Sequence, residues 1–283
     1  MNAAKPNKDK KDAHFKTALC GLLVSLAGIY IALLLPLHSN VPTFPPAAPF
    51  AFAAGISMIA AILWAADSVR SISKYGLGTG VPSVGMFGVG LACVIAVFAA
   101  FLNTIWSPIL GAALALAIGW TAGKLINSVI GMNIPGMEKR VAEITAGCTL
   151  AMIASFVIVT GTVEVFMVEN YIFTGTVALA FIGIAVAVFH AYNANLGPDE
   201  MQNRTRMLTI LDASMLLLIF GIIAFLFRAG GGMNIQTVIG PLVIIFMSIV
   251  FILISYYKFW TYVKRDAWRI TETGLLPSEE DLN

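Results

Sequence analysis

Eight apolar runs, each close to the length that crosses a bilayer, alternate along this chain of 283 residues with gaps that differ sharply in charge. They cover residues 17–37, 47–67, 83–102, 106–123, 141–163, 172–190, 207–227 and 235–257. A helix rising about 1.5 Å per residue needs about 20 residues to traverse about 30 Å of hydrocarbon, so each run predicts one membrane-spanning helix. Of the 17 Lys and Arg residues, all but Arg228 fall in the two tails or in the even-numbered gaps. Basic loops stay on the cytoplasmic side, so the pattern predicts an even number of spans with both termini cytoplasmic. The expected fold is all-α: a polytopic integral membrane helix bundle of about eight helices in the cell membrane. The bundle occupies residues 17–257, after a basic tail over 1–16 and before an interfacial aromatic and basic segment with an acidic end over 258–283.

Composition supports the same class. With 59% hydrophobic and 11% charged residues and a mean hydropathy of +0.87, the chain has too little polar surface to cover a soluble core of this size. The net charge of +2 gives no sign of nucleic acid, because the cations are accounted for by topology. Cys20, Cys93 and Cys148 lie inside spans without metal-ligand spacing and are expected to be buried free thiols. The first span follows a long basic region, and no small-x-small site follows Leu35 and Pro36, so it is expected to remain as an anchor. The outer gap over 38–49 carries four prolines, which oppose helix formation. The inner gaps contain Gly, Asn and Pro at 78–82, 131–135 and 195–198, and each is expected to start the next helix near its proline. Beyond the last span, aromatic and basic residues alternate from Tyr256 to Arg269 in a pattern suited to the headgroup zone.

A charge in hydrocarbon is costly, so an ion pathway within a chain is normally marked by ionisable residues deep in its spans. The middle third of every predicted span lacks them. The acids nearest the interior are Asp67, Glu143 and Asp212, which are the candidates for a cation pathway or an inter-subunit contact. Asp67 closes the second span with Arg70 three residues on, which also suits a local ion pair. Glu143 opens the fifth span beside Thr145, Ala146 and Gly147, where a carboxylate suits a helix N-terminus. Asp212 lies five residues into the seventh span, on one face with Thr205 and Thr209. It could hold a cation, carry a proton, pair with a neighbouring subunit, or serve the inner interface structurally. Gly119 and Gly123, and Gly85, Gly88 and Gly90, permit close helix approach, within the chain or with other membrane subunits. His14, His38 and His190 have no second ligand at helical spacing, and metal binding is left unassigned. No motif for a nucleotide, haem or catalytic nucleophile is present, and no catalytic or cofactor-binding residue is assigned.

Between spans four and five, Pro135 precedes Met137, Glu138, Lys139 and Arg140, a charged first helical turn and a candidate cytoplasmic docking surface. The run Met132-Asn-Ile-Pro-Gly-Met-Glu138, with Glu143 and small residues after it, resembles the corresponding segment in the C subunit of the sodium-translocating tetrahydromethanopterin S-methyltransferase of methanogenic archaea. The resemblance implies a membrane subunit of a complex that moves a methyl group from methyl-tetrahydromethanopterin, through a corrinoid, to coenzyme M while exporting sodium. It implies a non-catalytic or coupling role, a corrinoid (cobamide) held by a partner subunit, and partners that include the other large membrane subunits, the corrinoid subunit and the lipid bilayer. Sodium could bind within such a complex. Two other readings remain open on the residues alone: a stand-alone secondary transporter, for which Pro108 and Pro241 would mark broken helices, and a purely structural membrane scaffold.

Overall fold

The computed structural model describes residues 8–38, 51–73, 81–102, 105–164, 169, 171–172, 174–194, 202–230 and 235–272. The prolines of the outer gap at 42–49, the glycines at 78 and 80, the segment 195–198 and the acidic end at 277–283 lie outside the described residues. Among those described there is no strand. The helices are α1 (Lys8–His38), α2 (Ala51–Ser73), α3 (Val81–Ala99), α4 (Ser107–Val129), α5 (Met137–Thr160), α6 (Thr176–Ala194), α7 (Gln202–Gly230) and α8 (Ile235–Glu272). Seven are long and apolar enough to cross a membrane, and α6 adds a shorter apolar stretch, Thr176–Ala191. The chain is therefore a multi-pass, all-helical membrane protein.

Several helices overrun their apolar spans at the end that gathers the cations. The first begins at Lys8, α4 runs on to Val129, α7 starts at Gln202 and α8 continues to Glu272. Lys, Arg, Glu and Gln are good helix formers, so leaving the apolar zone gives the backbone no reason to stop. Asp212 consequently lies ten residues along α7 from Gln202, deeper in its helix than the hydropathy boundary implied. The prolines break nothing: Pro108 sits in the first turn of α4, where an amide hydrogen is not needed, and α8 continues through Pro241.

The fifth helix is the axis of the bundle. It is buried without interruption from Val141 to Val159 and packs against α1, α2, α3, α4, α6 and α7. A helix apolar on every side belongs inside, and Ala142, Ala146, Gly147, Ala151 and Ala154 keep this one thin enough to be surrounded. Small residues on its neighbours complete the fit. A Cβ at Gly119 would stand 2.8 Å from Ala142 Cα, and one at Gly123 would stand 2.7 Å from Glu138 Cα. The Gly119 and Gly123 pair thus packs α4 on α5 inside the chain. Gly85 meets Phe189 of α6 and Gly88 meets Ile144 and Thr145 of α5, whereas a Cβ at Gly90 would meet nothing. The expectation of three buried thiols is corrected: Cys148 is buried and Cys93 half-buried, but Cys20 is exposed, because α1 packs only one face on the bundle.

Candidate functional site

Antiparallel packing gathers one end each of α2, α5, α6 and α7 at the basic end of the bundle, and their side chains form a polar layer there. At its centre is the last turn and a half of α2. Asp67 stands 3.9 Å from Arg70 Nη1 on its own helix and 3.5 Å from Arg206 Nη2 on α7. The next residue, Ser68, turns to α5 and donates a 2.8 Å hydrogen bond to Glu143 Oε2. Arg140 donates to the same carboxylate oxygen at 2.8 Å, and Lys139 Nζ is 4.0 Å from Oε1. Glu143 is only 5% exposed, and a buried carboxylate requires partners of this kind. Two neighbouring residues of α2 thus tie its end to both α5 and α7.

Asp212 makes a separate contact. Its Oδ2 is 2.9 Å from Nδ1 of His190 at the end of α6. The His190 side chain is 49% exposed while that of Asp212 is 12% exposed, so the pair reaches the surface through the imidazole. Thr205 and Thr209 are buried on the same helix, and the Thr209 hydroxyl donates to the Thr205 carbonyl at 3.0 Å. The structure therefore joins Asp67 and Glu143 through α2 and gives Asp212 its own partner. Among the described residues, no group of three or more His, Cys, Asp and Glu side chains has a metal-binding arrangement.

The turn between α4 and α5 is rigidly built. Gly131, Asn133 and Gly136 all have positive φ, at 72°, 52° and 71°, a region that glycine and, among other residues, asparagine tolerate best. Asn127 clamps the turn: its Oδ1 accepts from Ile134 N at 2.9 Å and its Nδ2 donates to Ile134 O at 3.2 Å. Ile134 and Met137 insert into the core. The charged turn after them divides by role, since Arg140 is committed to Glu143 while Lys139 is 60% exposed. Glu138 is half-buried. Leu125, Val129 and Ile130 place exposed apolar surface next to Lys139's helix start.

Sequence reasoning missed Ser68, Asn127, His190 and the Asp67–Arg206 link. A lone serine or asparagine carries no periodic signal, and the His190 and Arg206 contacts join residues on different helices. The Asp67–Arg70 pair was read from its spacing, and the Arg140–Glu143 pair, at the same spacing of three, carried a signal that could have been.

The family of the C subunit of tetrahydromethanopterin S-methyltransferase matches residues 1–280. The chain belongs to that family. It is 36% identical to the C-subunit protein of Methanosarcina mazei, with both chains covered in full. It is 32% identical to that of Methanopyrus kandleri over 99% of this chain and 97% of the relative. The protein of the same name from Methanothermobacter thermautotrophicus is 30% identical over 92% of each chain. The resemblance first carried by the turn at 132–138 thus extends over the whole bundle, and family membership makes the chain a subunit of a methyltransferase.

Proposed function

We propose that this chain is a non-catalytic coupling subunit of a cell-membrane complex that transfers a methyl group from methyl-tetrahydromethanopterin to coenzyme M and exports sodium. The observation that carries the reading is the full-length family match. The structure adds support of a different kind: a closed, apolar α5 core, with Asp67, Glu143 and Asp212 gathered at one end of the bundle, suits a partner in energy coupling better than a catalyst. In this reading the basic end faces the cytoplasm, and the corrinoid is held by another subunit. Lys139 and Glu138, with the clamped turn before them, form a docking surface for the methyl-transferring part of the complex. Asp212 with His190 is the candidate for contact with sodium or with a neighbouring subunit, and Asp67 and Glu143 hold the helices that carry it.

The test is co-expression of a tagged chain with the other subunits, followed by reconstitution in liposomes. The corrinoid subunit should co-purify, methyl transfer should depend on sodium, and Asp212→Asn should weaken that dependence without dissolving the complex. Solute uptake by the isolated chain would instead establish a stand-alone transporter. A second reading, a purely structural scaffold in the same complex, draws on the partners that Asp67, Glu143 and Asp212 all find inside the chain. Carboxyl-reagent labelling separates the two, because sodium should protect Asp212 only if the ion reaches it.

A further inference from the structure

Arg228 is the cation that the topology of this chain does not explain. Basic residues are retained on the cytoplasmic side, and every other Lys and Arg follows that rule, whereas Arg228 closes α7 at the opposite end of the bundle. A guanidinium keeps its charge and offers five N–H donors. Here Nη1 is cut off from water and has no hydrogen-bond partner, and among the described residues no ion pair reaches the half-buried side chain. The chain has little to offer it. The outer gaps, 38–50, 103–106, 164–175 and 228–235, contain Glu164 and Glu169 as their only acids, and both are exposed. A cation drawn this far out of water is costly unless a negative group meets it, so the partner comes from outside the chain.

The position of Arg228 on its helix separates protein from lipid as the source. Four, seven and eleven residues back along the same face are Ala224, Gly221 and Leu217, all buried. Leu217 fits against Gly55 of α2, and Gly221 against Ile244 and Ile245 of α8. The opposite side of α7 faces lipid, with Ile219, Ile222 and Leu226 exposed. Arg228 therefore stands over the seam between α2 and α8, on the inward face of α7. A lipid phosphate follows the perimeter of the bundle, whereas a loop or helix end of another protein can reach its outer mouth.

We propose that Arg228 is a socket for a carboxylate of a different membrane subunit, an Asp or Glu presented at the outer end of the bundle. The inference rests on the proposed membership in a complex and adds to it a contact at the end away from the cytoplasmic docking surface.

The test uses the full complex in membranes. Arg228→Lys keeps the charge and supplies an amine, which a carbodiimide joins to a contacting carboxylate as an amide; arginine forms no such link. Peptide mapping should show one crosslink absent from the unsubstituted complex, ending on an Asp or Glu in an outer segment of another subunit. Arg228→Glu should lower the amount of that subunit retained on the tagged chain by roughly threefold to tenfold, as expected when an interfacial ion pair becomes repulsive. Replacing the identified acid by Arg should then restore it. In the purified chain, Arg228→Gln should leave the melting temperature unchanged or higher, because there the charge has no partner to lose. No new crosslink, or one to Glu164, Glu169 or a second copy of this chain, overturns the proposal. So does loss of a co-purified lipid from Arg228→Gln with every subunit retained, which would assign the residue to a headgroup. Those results leave the proposed function standing if the subunits still co-purify and methyl transfer still depends on sodium, and the two failures are thereby told apart.

Discussion

Replacing Glu143 by glutamine removes the one negative charge that Arg140 and Ser68 share while keeping nearly the same volume. The carboxylate accepts two hydrogen bonds of 2.8 Å in a site where its own side chain is 7% exposed and that of Arg140 is 21% exposed. Breaking a fully buried pair costs about 3–5 kcal/mol. Water reaches Arg140, and both bonds end on Oε2, so the amide oxygen of glutamine can still accept them without the charge, and the expected loss is about 2–3 kcal/mol. For a chain of this size that corresponds to a melting temperature lower by roughly 3–5 °C, measured by thermal unfolding in detergent. Lys139→Ala, which removes a 4.0 Å contact from an exposed side chain, should cost under about 1 kcal/mol. Ser68→Ala should cost about 1 kcal/mol, and the Ser68→Ala and Glu143→Gln pair should show a coupling energy above about 0.5 kcal/mol. If Glu143→Gln melts together with Lys139→Ala, or the double variant is strictly additive, then the α2–α5 link does not hold this end of the bundle.

Gly119→Val should separate α4 from α5 and destabilise by about 1–3 kcal/mol, whereas Gly90→Ala, with open space at its Cβ, should leave the melting temperature unchanged or slightly higher. Asn127→Ala should loosen the α4–α5 turn, read as faster proteolysis and amide exchange over residues 130–137 with little change in the rest of the bundle. Tyr171→Phe removes the 2.8 Å contact with the Ser155 hydroxyl and should cost about 1 kcal/mol. Burial pushes the Tyr171 phenol above its ordinary range. The unfolded chain therefore releases this proton near pH 10 while the folded chain keeps it, and stability should fall as pH rises past about 10; ultraviolet titration should show one tyrosine ionising only on unfolding.

The residues alone marked the apolar runs that become helices and the ends at which their charges gather, because the cost of placing a charge in hydrocarbon is local and can be read one residue at a time. Hydropathy likewise marked the apolar run of α5, and helical spacing marked the Asp67–Arg70 pair. What it could not give is azimuth. Whether Ser68 or Asp67 faces α5, whether His190 reaches Asp212, and which face of α8 is left open depend on how closely neighbouring helices approach and at what rotation. Those quantities are set by contacts such as Gly119 on Ala142 and Gly85 on Phe189, between residues far apart in the chain. Hydropathy also misplaced the helix ends, since α1, α4, α7 and α8 continue beyond the apolar zone wherever their polar residues still favour helix. Tertiary packing alone made α5 the axis and brought Asp67 to Arg206, because only the assembled bundle decides which faces find a neighbour.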